Sequence, residues 1–290
     1  MQGKKRNFPV KIQKNFLKNF IPQVHFPGKY DILFPDNLSL GGRIPMLKKI
    51  LGRIPVLGMT LALAAAGFYL RKNHLAVGFD GDLPNGMGIW PLVILLAVAA
   101  GLFLAVALKK EKRTQYAENF SSELPAMILA VLAAGLLLAG VVANALQASP
   151  AMQGNVLLTR ILTLLGVVTA LCFAGTAMAW NKEKEPTAVF CIVPVVYYIL
   201  RAILCFKVWS NDPIILDYCF SLFAMIAALL GTFHIGNFVF SGQRRLTIFL
   251  CLTGVVFSAT ALPGSELPEL LQISGSALWL LAGGWQVLRD

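Results

Sequence analysis

Charge is scarce in this sequence. Asp, Glu, Lys and Arg make up 13% of its 290 residues, about half the fraction usual in a soluble domain, so the chain does not keep itself in water by surface charge. Histidine is scarcer still: His25, His74 and His234 are the only three, and no two stand at ligand spacing, which argues against a histidine-built metal centre. Five cysteines, Cys172, Cys191, Cys205, Cys219 and Cys251, include no metal-binding pair and no disulfide framework, and read as small apolar packing residues. A glycine-rich phosphate loop and a nucleophile elbow are both missing. These gaps assign no catalytic residue, no metal and no cofactor. Catalysis through carboxylates alone stays open, as the least favoured of three functional readings.

What the chain has instead is apolar length. Hydrophobic residues reach 57% and mean hydropathy is +0.70. A bilayer core roughly 30 Å thick needs about 20 apolar residues per helix, and runs of that size recur from Ile54 onward. They are continuous and rich in Leu and Ala, which favours helices over the short alternating strands of a barrel. Eight spans are expected: Ile54 to Leu70, Ile89 to Leu108, Leu124 to Leu146, Val156 to Trp180, Thr187 to Trp209, Pro213 to Val239, Leu246 to Leu262, and Leu270 to Leu288. The fold class is therefore all-α, an integral membrane helical bundle. The loops are short and carry Pro, Gly, Asn and Ser, as in Asp82-Leu83-Pro84-Asn85-Gly86 and Ser210-Asn211-Asp212-Pro213, which leaves no room for a second domain between spans.

Lys and Arg fix an orientation. The second, fourth and sixth loops carry Lys109, Lys110, Lys112 and Arg113, then Lys182 and Lys184, then Arg244 and Arg245. The other loops hold mostly acids: Asp80, Asp82, Asp212 and Glu266. Both termini are thus expected in the cytoplasm, with the chain multi-pass in the cell membrane. Trp90 and Trp209 fall at the outer interface, and Trp180 and Trp285 at the inner one. Arg71 and Lys72 lie on the wrong side of this rule.

The formal charge of +11 does not point to nucleic acid, because nearly all of it is in the N-terminal flank. Residues 1–53 hold eleven Lys and Arg against Asp31 and Asp36. Two readings of residues 1–45 stand side by side. One is a disordered basic arm that meets anionic lipid; Pro9, Pro22, Pro27 and Pro35 would interrupt any helix there. In the other, Met46 is the initiator, since Gly41-Gly42-Arg43 is what a purine-rich ribosome-binding site spells when translated. Residues 46–290 form one transmembrane domain in either case. No secretory cleavage site follows a short apolar core, and the first span reads as a retained anchor. Asn119-Phe120-Ser121 matches a glycosylation acceptor only by accident, because its loop is expected inside.

Charge within a span is costly unless paired or hydrated. Arg160, Arg201, Lys207, Asp217 and Glu269 all fall toward the outer side of the expected topology. Arg201 shares a helical face with Tyr197, Tyr198 and Cys205, and Asp217 enters the next span one turn after the loop. These residues point to a polar pocket facing outward, with Arg160, Arg201, Asp217, Tyr197 and Tyr198 as its candidate solute-binding residues. Two plainer readings compete: an Arg201 to Asp217 ion pair that pins a hairpin, and Arg201 snorkelling to outer headgroups. Glu269 suits the first turn of the last helix, where the dipole favours a carboxylate. His234 reads as a satisfied packing residue.

Small residues mark close packing. Asp217, Ser221, Ala224, Ala228 and Gly231 form a stripe on the sixth span, and Ala97 with Gly101, Gly135 with Ala139, and Gly166 with Ala170 repeat the four-residue spacing. Phe68-Tyr69-Leu70-Arg71 resembles Tyr198-Ile199-Leu200-Arg201, each followed by an acidic turn with proline, at an offset of 130 or 131 residues that Arg113 and Arg244 also keep. That offset suggests two parallel four-helix halves.

The stretch from Trp209 through Asp212-Pro213, Asp217 and Phe220, continuing to His234 and Arg244-Arg245, resembles a group of uncharacterised bacterial polytopic membrane proteins. These also tend to begin near the position of Met46. The resemblance covers most of the chain after Met46 and implies no activity and no site residues. Two readings lead: small-solute transport or binding through the outward pocket, and a membrane-embedded sensor, assembly factor or partner subunit without transport or catalysis. The lipid bilayer is the one partner both share, and oligomeric state is left open.

Overall fold

The computed structural model describes residues 53–74, 90–147, 156–209, 215–240 and 242–289, all within one unit, Arg43–Asp290. The side chains of residues 74, 156, 208, 209 and 215–218 are not among those described. Residues 1–45, with their two readings, lie outside the described residues, as do Asp80, Asp82, Asp212 and Pro213.

Among the described residues the chain is helical, without strands. It forms α1 (Ile54–His74), α2 (Trp90–Lys109), a four-residue α3 (Tyr116–Asn119), α4 (Leu124–Leu146), α5 (Val156–Asn181), α6 (Ala188–Trp209), α7 (Ile215–Asn237), α8 (Arg244–Ala261) and α9 (Leu267–Val287). The eight long helices match the eight expected spans to within a few residues. Seven of them, α1, α2 and α4 to α8, are long and apolar enough to cross a bilayer. Their outward faces carry large apolar residues in open exposure, such as Ile94, Val98 and Leu102 on α2, or Ile192, Ile199 and Ile203 on α6. An apolar surface of that extent meets lipid rather than water. The chain is an integral, multi-pass membrane protein.

The eighth long helix, α9, is different, and the difference explains the bundle. Its 21 residues make a rod about 31 Å long at 1.5 Å per residue, enough to cross, but Glu269, Gln272, Ser274, Ser276 and Gln286 lower its hydropathy. Every residue from Pro268 to Val287 is buried or half-buried. A helix that faces protein on all sides does not need a lipid-soluble surface. α9 packs most extensively on α4, and also on α7 and α8.

Backbone approach sets that packing. A Cβ on Gly275 would stand 2.8 Å from the Leu137 nitrogen and 2.9 Å from the Ala133 oxygen, and one on Gly140 would meet the Pro268 oxygen at 2.8 Å. The α4 face involved is Ala126, Ala130, Ala133, Leu137 and Gly140, all buried. Gly135, which the four-residue spacing singles out, has nothing within 4 Å, and neither has Gly101. Both of those pairs lie on exposed faces, whereas Gly166 packs on Val141 and Tyr197. The α7 stripe behaves as its composition suggests: Ser221, Ala224 and Ala228 are buried, and Gly231 admits the Leu280 side chain of α9. An exchange of two four-helix halves would give the α4 to α9 pairing a counterpart between α8 and α5. Instead α8 packs on α1, α2, α7 and α9, so the helix neighbours do not follow the 130-residue offset.

Polar contacts tie the ends together. At one end Arg53 donates to Glu123 at 2.6 Å, and the Trp285 indole donates to the same carboxylate oxygen at 2.6 Å. Gln286 exchanges bonds with the backbone of Ser121 at 2.8 and 3.2 Å. The start of α1 and the end of α9 therefore lie at the same end of the bundle. The loop before α4 folds under it through an aromatic stack, Tyr116 on Phe120 at 4.6 Å and Phe120 on Trp180 at 5.7 Å. Burial drives the Tyr116 phenol far above its ordinary range. Trp180, 1% exposed, is thus a core residue rather than an interfacial ring, whereas Trp90, 63% exposed, stands at the surface. Asn119 is buried and its amide donates to the Gln115 oxygen at 2.8 Å, which leaves no free acceptor for a glycan.

Candidate functional site

The polar cluster that the in-span charges point to is built on α6. Pro194 breaks the helical hydrogen bonding of α6 one turn before Tyr197. Tyr197, Tyr198 and Arg201 then fall on the inward face and are 1%, 0% and 5% exposed. Gly166 of α5 makes the room: a Cβ there would sit 3.1 Å from the Tyr197 ring.

α9 supplies the other wall. The Tyr197 hydroxyl donates to Gln272 Oε1 at 3.1 Å, and Gln272 Nε2 donates to the Gly140 oxygen at 3.0 Å. Tyr198 Oη lies 2.7 Å from Ser276 Oγ. Ser276 commits its one proton to the Gln272 oxygen at 2.8 Å, so Tyr198 is the donor to Ser276. The two tyrosines thus anchor a satisfied polar layer between α4, α6 and α9, where an unmet group would be expensive.

Arg201 is not so satisfied. Its Nη1 is buried and has no hydrogen-bond partner, and the same holds for Glu269 Oε1 in the first turn of α9. Among the described residues Glu269 is the carboxylate in electrostatic reach of the guanidinium, which also lies by the Tyr197 hydroxyl and the Cys205 thiol. The two opposite charges sit in one layer without a direct ion pair. Chemically, that arrangement offers a cationic donor and an anionic acceptor, each with an atom left unpartnered. Among the described residues no three of His, Cys, Asp and Glu gather as metal ligands.

The other candidates are placed less centrally. Arg160 is exposed on α5 and is not among the groups around Arg201. Asp217 lies in α7, and its side chain is outside the described residues, so the Arg201 to Asp217 pair has no geometry here. Lys207 is exposed. The sequence reading missed Gln272 and Ser276, although their four-residue spacing in the most polar span was a usable signal. His234 packs edge-on against Phe233 at 5.3 Å, but its Nδ1 is buried without a partner, so it is a packing residue that is not satisfied.

Comparison with protein-family models, curated proteins and solved structures finds no match.

Proposed function

We propose that this protein binds, and passes across the membrane, a small anionic or zwitterionic solute, held between Arg201 and Glu269 with Tyr197 and Tyr198 behind them. The observation that carries the reading is the buried guanidinium of Arg201 with its Nη1 unpartnered, in electrostatic reach of a carboxylate whose Oε1 is also unpartnered. A purely structural charge pair at membrane depth closes into a direct bond, because each unmet group is costly there. The cluster lies toward the end of the bundle where α6 ends and α9 begins. Loop charge assigns that end to the outside and both termini to the cytoplasm, in the cell membrane of a bacterium. Membership of the bacterial polytopic group that the Trp209 to Arg245 stretch resembles belongs to the same proposal.

Thermal unfolding of the purified full chain against a panel of amino acids and small carboxylates tests it. At least one compound is expected to raise the unfolding temperature, and Arg201→Gln and Glu269→Gln are each expected to abolish that shift. A shift that survives both substitutions, or a panel without any shift, contradicts the site.

A second reading, a membrane-embedded partner subunit, is favoured by a separate observation. Gly101 and Gly135 stand on exposed helix faces with nothing within 4 Å, beside exposed Ala97 and Ala139, so α2 and α4 offer small-residue faces to another span.

A further inference from the structure

A cleft of about 440 Å³ lies between the end of α2 and the start of α8, remote in sequence and function from the Arg201 cluster. Its polar lining is Lys112, Arg113, Thr114, Gln243, Arg244 and Arg245, with no acidic residue among the described lining residues; beside it the exposed Glu111 carboxylate lies 3.6 Å from Arg113 Nη2. The remaining wall is largely apolar and includes Leu104, Leu108, Leu246 and Phe249. Leu104 and Leu108 are 48% and 56% exposed, so the apolar wall runs without a break into the surface that meets hydrocarbon.

Two of the basic groups, Arg244 and Arg245, are held in position by the fold. Arg245 Nε donates to the Lys110 oxygen at 2.8 Å, at the end of α2. Arg244, 1% exposed, donates from Nε to the Val287 oxygen at 2.9 Å and from Nη2 to the Arg289 oxygen. The backbone N–H of Gly242 donates to the Thr114 oxygen at 3.2 Å and closes the floor. The first turn of α8 points its positive dipole end into the same space. A positive rim on an apolar wall at the bilayer boundary matches a molecule with a phosphate at one end and hydrocarbon at the other. A water-soluble anion would use the rim and leave the wall unmet.

We propose that this cleft is a binding site for an anionic phospholipid, with the phosphate against Lys112, Arg113 and Arg245 and an acyl chain along Leu104, Leu108 and Phe249. The test takes the full chain in an uncharged detergent and titrates it with phosphatidylglycerol, phosphatidylcholine or inorganic phosphate, reading bound lipid by native mass spectrometry and stability by thermal unfolding. Phosphatidylglycerol is expected to remain bound and to raise the unfolding temperature; phosphatidylcholine and phosphate at equal concentration are not. The double substitution Lys112→Gln with Arg113→Gln is expected to weaken phosphatidylglycerol binding by roughly thirtyfold, the order for losing two basic residues from a membrane-surface site, at an unchanged unfolding temperature in phosphatidylcholine. If that temperature falls, the exposed Lys112→Gln alone is compared, with a several-fold loss expected. Equal binding of the two lipids overturns the proposal, as does full affinity in the substituted chain, which would move the charge dependence to the basic flank at residues 1–53. Stabilisation by phosphate equal to that by phosphatidylglycerol overturns the lipid assignment.

Discussion

Arg71 stands in the last turn of α1, on the side where loop charge expects few cations, and its surroundings account for it. It is 4% exposed, donates from Nη1 to the Thr260 oxygen at 2.7 Å, and its guanidinium carbon lies 4.8 Å from the Phe220 ring centre. Thr260 is in the last turn of α8, where carbonyls lack helical partners and the dipole favours a cation. Arg71 is therefore a helix cap that reaches across the bundle, whereas Lys72 beside it is exposed. Charge-assisted hydrogen bonds of this kind contribute about 1.5–3 kcal/mol. Arg71→Gln is expected to lower the unfolding temperature of the purified protein clearly, and Lys72→Gln to leave it unchanged. Equal effects of the two would remove the capping role.

At the scale of helices, the account rests on backbone contact between α4 and α9. Gly275→Val would press a branched side chain into the α4 backbone at Ala133 and Leu137, where overpacking costs about 1–3 kcal/mol or more. Gly101→Val meets open space. The first substitution is expected to lower the unfolding temperature by many degrees and the second by little; the reverse order would mean that α9 is not seated where described. The spans are legible in the sequence because lipid-facing helices must be apolar over their full length, and α4 runs from Leu124 to Leu146, as its apolar run does. The interior was less legible. Gly135 and Gly275 look alike in sequence, and only the neighbour decides which of them is a contact. The short α3 stayed hidden because its hold on the bundle comes from three-dimensional stacking of Tyr116, Phe120 and Trp180. The depth of Arg201 and Glu269 in their spans marks both for the polar set, but the sequence does not pair them, because they stand 68 positions apart.

For the whole molecule, the central claim is that α9 crosses the bilayer as the inner post of an eight-helix bundle, although its own composition falls short of a usual span. Contacts at one end join Arg53, Glu123 and Trp285, so the described chain begins and finishes on the same face. The Arg201 cluster and the cleft between α2 and α8 occupy opposite ends of this frame. Reporters of membrane side, fused after Gly264 in the turn before α9 and after Asp290, test it most directly. The account predicts that the two report opposite sides, with the Asp290 fusion on the same side as one placed ahead of Ile54. Reporters at 264 and 290 on the same side would contradict it.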